Sequence, residues 1–176
     1  MILKLKRSPG IYLVGFMGCG KSTVGAQLAD EFGWRFLDLD RAIEEQQGKS
    51  IVDIFETQGE PGFRQIESEA IQHLIKETEK GRATVAALGG GAFPWPGNRE
   101  RLEDSGVTIW LDVPFARIEA RIASETHRPL ARDPVRFRQL FDVRRQAYSK
   151  ADYTIPFDSD HAQDAVQAIL ALHLLG

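Results

Sequence analysis

Apolar residues in this chain fall into two alternating rhythms. Ile11-Tyr12-Leu13-Val14 is an unbroken apolar run of strand type, and Arg35 to Asp38, Thr84 to Leu88, Thr108 to Asp112 and Asp152 to Ile155 read as four further short strands. Between them apolar residues recur three and four apart. Val24, Leu28, Ala29 and Phe32 do so after the first strand, and Phe63, Ile66, Ala70, Ile71, Leu74 and Ile75 do so later, each set along one helix face. Strands alternating with helices imply βαβ units, and hence a parallel sheet with helices on both faces and right-handed crossovers. Ligands of such a sheet collect at the carboxyl ends of its strands. Two stretches exceed a simple crossover: residues 39–79, with several helical patterns, and residues 124–134, which are polar and contain Pro129 and Pro134. Both are expected to be moving parts. In the first, Ser50 and Asp53 form a capping box with Asp in the acidic place, ahead of the apolar face of Ile51, Ile54 and Phe55.

Composition narrows the class. With 43% hydrophobic and 27% charged residues, the 176-residue chain can bury a real core and is expected to fold as one domain over residues 1–176. A net charge of −3 gives no reason to expect nucleic acid or an acidic membrane as partner, so an anionic substrate demands locally concentrated arginines. Lys4, Lys6 and Arg7 precede an apolar run too short for a secretory signal, and no apolar stretch approaches the ~20 residues that span a bilayer. A cytoplasmic protein is expected. Cys19 is the only cysteine, which excludes an intramolecular disulfide and a cysteine-cluster metal site.

The chemistry begins at Gly15-Phe16-Met17-Gly18-Cys19-Gly20-Lys21-Ser22, which fits G-x4-G-K-[S/T] between a strand and a helix. In that pattern glycines let backbone N–H groups turn inward and the following helix offers its positive end. Lys21 can span the β and γ phosphates, and Ser22 can ligate Mg²⁺. Asp38 and Asp40 flank Leu39, so strand geometry aims both carboxylates the same way; the alternative for Asp40 is a helix N-cap. Arg64 and Glu67 stand three apart on a helix beginning near Pro61, either as a surface ion pair or with Glu67 orienting the Arg64 fork toward a carboxylate. Gly89-Gly90-Gly91 follows the third strand and is expected to let backbone N–H groups approach a ligand. Arg121, Arg128, Arg132, Arg136, Arg138, Arg144 and Arg145 supply the positive charge demanded above; most are expected on a solvated face, while one in a mobile loop can close over a phosphoryl group.

In their order, GFMGCGKST, FLDLD, SIVDIFETQGEPGFRQIE, LGGGA, HRPLA and RRQAYSKAD resemble the successive motifs of the shikimate kinase family over nearly the whole chain. The resemblance implies a three-layer α/β P-loop kinase fold of nucleoside monophosphate kinase type. It has a five-stranded parallel sheet of order 2-3-1-4-5, an acceptor-binding helical segment at about 39–79 and a lid at about 124–134. It implies transfer of the γ-phosphoryl of ATP to the 3-hydroxyl of shikimate. Carried over by motif, Gly18, Cys19, Gly20, Lys21, Ser22 and Thr23 hold the nucleotide, with Ser22 and, through water, Asp38 at Mg²⁺. Asp38 lies near the reacting hydroxyl and Asp40 binds substrate hydroxyls. Gly89, Gly90 and Gly91 line that pocket, Arg64 and Arg144 grip the shikimate carboxylate, and Glu67 orients Arg64. Lys21, Asp38 and Arg128 are the expected catalytic residues, Arg121 packs on adenine, and a monomer is expected. Cys19 stands where the family more often has Ser or Ala. A kinase for another polyol acid such as gluconate, and a non-catalytic ligand sensor, are the alternatives.

Overall fold

The computed structural model describes residues 10–124 and 133–174. Five strands, β1 (Gly10–Val14), β2 (Arg35–Asp38), β3 (Thr84–Ala87), β4 (Val107–Asp112) and β5 (Tyr153–Pro156), form one parallel sheet in the order β2-β3-β1-β4-β5. Each expected strand is present to within a residue at either end. The inner strands β1 and β3 are buried along their whole length, which is why they read as continuous apolar runs rather than as alternation.

Helices α1 (Lys21–Phe32), α2 (Leu39–Gln47), α3 (Ile51–Glu79), α4 (Asn98–Ser105), α5 (Phe115–Ala123), α6 (Pro134–Tyr148) and α7 (Ala162–Leu170) connect and cover the strands. Neighbouring residues of β1 show the layering. Leu13 packs toward Gly25 of α1, whereas the Tyr12 hydroxyl shares a 2.9 Å hydrogen bond with Ser105 of α4. Successive strand residues point to opposite faces, so α1 and α4 lie on opposite sides of the sheet. The core runs through both interfaces, with Ile11, Leu13, Val24, Leu28, Val85 and Ile109 essentially inaccessible. No helix among the described residues is long and apolar enough to cross a membrane.

Half of the expected capping box is in place: the Asp53 N–H donates to Ser50 Oγ at 3.1 Å, while the acidic side chain that caps a neighbouring N–H is Glu44, which accepts from Ile51 at 3.0 Å. The chain from 51 to 79 is one long helix with a single interruption at Gly59 (φ 70°, ψ 179°), a conformation essentially confined to glycine. Pro61, two residues on, lies in the first turn of the second segment, where its missing N–H costs nothing. Residues 125–132 of the expected lid, with His127, Arg128, Pro129 and Arg132, lie outside the described residues.

Candidate active site

Strand order decides what meets at the carboxyl edge of the sheet. β3 lies between β1 and β2, so the loop after β1, Asp38 at the end of β2 and the three glycines after β3 converge. In the first of these, Gly20 (φ 91°) is the N-cap of α1 and provides no side-chain cap. The first-turn N–H groups and the positive end of the helix dipole are therefore open to an anion. The Lys21 ammonium donates to the carbonyls of Gly15 (2.8 Å) and Phe16 (2.9 Å). The Ser22 hydroxyl donates to Asp38 Oδ2 at 2.5 Å, which puts two hard oxygens side by side. A cleft of about 510 Å³ is lined by Gly18, Gly20, Lys21, Ser22, Thr23, Asp38, Asp40, Gly89, Gly90 and Arg121. Cys19 does not line it: its side chain is 1% exposed and turned inward, with Sγ 3.6 Å from Lys21 Nζ.

The two aspartates reach the cleft by a route other than strand alternation. β2 stops at Asp38 because its Oδ1 accepts the Arg41 N–H at 3.2 Å, which makes Asp38, not Asp40, the N-cap of α2. Asp40 sits in the first helical turn, beside a buried Leu39. Burial raises the Asp40 pKa above the usual carboxylate range; the neighbouring Asp38 charge adds to this and Lys21 opposes it.

Arg64 and Glu67 are not a surface pair. Arg64 is 5% exposed, Glu67 is 1% exposed, and Arg64 Nη1 donates to Glu67 Oε1 at 2.6 Å. The guanidinium lies 5.2 Å from the Phe63 ring centroid and 5.8 Å from that of Trp95, so aromatic faces hold it as well. Its Nε is 3.5 Å from Glu60 without hydrogen-bond geometry. The three glycines make room for these side chains. A Cβ on Gly91 would overlap Arg64, one on Gly89 would stand 2.7 Å from Asp40 Oδ1, and one on Gly90 would stand 3.2 Å from Arg144 Nη1. What the glycine run admits is thus the protein's own arginines and aspartate, not only an approaching ligand. Arg64, Gly91 and Arg144 lie outside the lining of the large cleft and pack against or beside the glycines that do line it.

Arg144 and Arg145 part company on α6. Arg144 turns inward, 5.9 Å from the Phe16 ring centroid, and burial pulls its pKa down from the usual range, with Tyr148 opposing and the like charge of Arg64 adding. Arg145 is exposed and pairs with Asp112 at 3.1 Å. Tyr148, one turn beyond Arg144, is 2% exposed and its hydroxyl donates to the Gly90 carbonyl. On the other side of the phosphate loop, Arg121 donates to the carbonyls of Gly18 (2.9 Å) and Ser159 (3.1 Å) and lies 6.0 Å from the Phe157 ring centroid. Arg117 clamps the same 157–160 segment through Asp158 (2.7 Å) and Asp160 (2.5 Å).

Trp95, Asn98, Arg117, Tyr148 and Phe157 are site-shaping residues that sequence reasoning passed over. Asn98 is fully buried: it accepts from Ser68 and donates to the Ala92 carbonyl, both at 2.9 Å, and so ties the glycine loop to α3. Tyr148 had a signal, its four-residue spacing from Arg144 on one helix face. Trp95, between Pro94 and Pro96, had none that periodicity can read.

A phosphate loop on a 2-3-1-4-5 parallel sheet, facing paired aspartates and two inward arginines, defines a P-loop kinase of small acceptors. The shikimate kinase family model matches residues 17–173, and the chain belongs to the shikimate kinase family. Shikimate kinase of Persephonella marina is 37% identical over 161 residues, covering 91% of this chain and 96% of the relative. That of Synechococcus sp. RCC307 is 41% identical over 164 residues, covering 91% and 82%. The structure of shikimate kinase from Acinetobacter baumannii in complex with shikimate superposes with a TM-score of 0.86 at 39% identity, covering 96% of this chain and 94% of that one. A gluconokinase from Sinorhizobium meliloti, at 15% identity and TM-score 0.54, is similar in fold alone.

Proposed function

We propose that the chain transfers the γ-phosphoryl group of ATP to the 3-hydroxyl of shikimate, giving ADP and shikimate 3-phosphate on the route toward aromatic amino acids. One observation carries the reading: two inward guanidinium groups, Arg64 and Arg144, meet the glycines that share a cleft wall with Asp38, Asp40 and the phosphate loop. An acceptor carboxylate suits the arginines, and its ring hydroxyls suit Asp40. Lys21 and the N-terminus of α1 hold the phosphates, and Arg121 packs on the adenine side. Ser22 and, through water, Asp38 would hold Mg²⁺ with the hard oxygens that stand side by side there, and the ion would supply neutralisation of phosphate charge.

The acceptor hydroxyl oxygen attacks the γ-phosphorus in line while Asp38 orients it. The bond from the γ-phosphorus to the bridging oxygen breaks, its electron pair stays on ADP, and the hydroxyl proton passes to the Asp38 carboxylate. Arg128 is assigned to the closing lid, at the charge of the transferring group. The unit works as one domain, with residues 39–79 at the acceptor and 124–134 as lid, and as a cytoplasmic monomer. The test is ADP release with shikimate, gluconate or nucleoside monophosphates as acceptor, and shikimate alone is expected to drive it. Release driven by gluconate would reassign the acceptor, and no acceptor-dependent release under Mg²⁺ would favour a ligand sensor.

A further inference from the structure

Glu67 holds more than an ion pair requires. Its Oε1 takes the Arg64 hydrogen bond, but Oε2, equally buried, has no hydrogen-bond partner. That oxygen is turned to Gly89, where a Cβ would stand 3.2 Å from it and 2.7 Å from Asp40 Oδ1. Two carboxyl groups thus converge on one glycine of the acceptor wall. Among the described residues the charged groups that face them are few. From α3 come Arg64, with Glu60 at 3.5 Å from its Nε, and from α2 comes Asp40, with Asp38 and Glu44 acting on it. From α6 comes Arg144, with the Tyr148 phenol beside it, and from the phosphate loop Lys21 acts on Asp40. Burial pushes the Tyr148 hydroxyl further up, so it stays protonated.

With both carboxyl groups ionised, the charges of Arg64 and Arg144 are cancelled locally and an entering carboxylate meets no net attraction. Oε2 would also remain a buried acceptor without a donor, an arrangement that is costly for a charged group. A single proton on Glu67 removes both penalties: the orphaned oxygen becomes an O–H donor at the Gly89 wall, on the side where Asp40 also converges, and the pocket gains one positive charge. We propose that Glu67 is a positioning residue that acts as the neutral acid, taking up a proton from solvent as an acceptor carboxylate docks on Arg64 and Arg144. This rests on the acceptor reading given above. Burial, opposed by Arg64 and helped by the Asp40 charge, pushes the Glu67 pKa up to about 7 before any acceptor is bound. A docked anion adds to Asp40 in the same direction, so uptake accompanies binding and is greatest just above neutrality.

Calorimetric titration of the protein with shikimate, from about pH 6 to pH 9 in buffers of different ionisation enthalpy, measures that proton directly. The expected result is buffer-dependent heat reporting uptake of part of a proton, small at about pH 6 and largest near pH 8. The acceptor Kd should rise with pH above about 7 by up to about tenfold per unit, while the acceptor's own carboxylate stays ionised throughout. Glu67→Gln keeps the shape of the neutral acid and cannot titrate, so uptake should vanish and Kd should become flat with pH. Wild-type binding whose heat is independent of buffer across the range overturns the inference, as does undiminished uptake in Glu67→Gln. The wild-type measurement stands alone if that variant does not fold. Absence of both binding heat and acceptor-dependent ADP release would instead overturn the shikimate reading itself.

Discussion

Gly91 is defined by what stands where its side chain would be: a nitrogen of Arg64. Gly91→Ala should push the guanidinium off Glu67 and raise the acceptor KM at least about tenfold, with little change in the KM for ATP; steady-state kinetics with each substrate varied will separate the two. Asp38→Asn should lower kcat by about 10²–10⁴-fold if Asp38 takes the hydroxyl proton, and a near-normal kcat would sink that role. Glu67 also marks the stability curve. Its folded-state pKa is raised from 4.5 to about 7, so its contribution is fully present below about pH 4.5 and is lost as pH climbs through about 7. Urea midpoints of wild type and Glu67→Gln should therefore diverge as pH rises across that window, with the variant the less sensitive. Residue types were legible here, but their burial was not. Arginine and glutamate three apart on a helix are usually a surface pair, and only tertiary packing of Phe63, Trp95 and the glycine loop encloses them. The N-cap role fell to Asp38 rather than Asp40 because one side-chain bond to Arg41 decides where a strand becomes a helix.

At the scale of elements, strands were the most legible, since the inner strands β1 and β3 are buried along their whole length and read as apolar runs that need no neighbour to be recognised. α4 was hidden because Leu102 is its only buried apolar residue, with Asn98 and Ser105 buried as polar groups. The Gly59 bend inside α3 reads in sequence only as a break at Gly59-Glu60-Pro61-Gly62; that both segments continue as one element needs the sheet and α2 to pack against. Gly59→Ala should cost about 1–3 kcal/mol of stability, since a Cβ disfavours its backbone conformation. Ser50→Ala should cost about 1 kcal/mol through loss of the cap to Asp53, and chemical denaturation of both variants measures the difference. Arg117→Ala frees the 157–160 segment from Asp158 and Asp160 and leaves Arg121 less well held. The KM for ATP is expected to rise while the acceptor KM holds, which a two-substrate kinetic matrix will resolve.

For the molecule as a whole, topology does what no single motif can: placing β3 between β1 and β2 brings phosphate loop, aspartates and glycines to one edge. That convergence, and the place of Arg144 beside it, followed from the alternation of strands and helices together with family resemblance, whereas the Phe137, Phe141 and Tyr148 contacts of α6 did not, because they join residues more than fifty positions apart. α6 touches both halves of the site. Phe137 and Phe141 each lie 5.3 Å, centroid to centroid, from Phe16 of the G-x4-G-K-S loop, while Tyr148 holds the carbonyl of Gly90 on the glycine wall of the cleft. One helical rod therefore touches both sides of the cleft. By thermodynamic reciprocity, whatever factor nucleotide adds to acceptor affinity, acceptor must return to nucleotide affinity. Tyr148→Phe, by cutting one end of the rod, should bring that factor nearer to one from both directions at once.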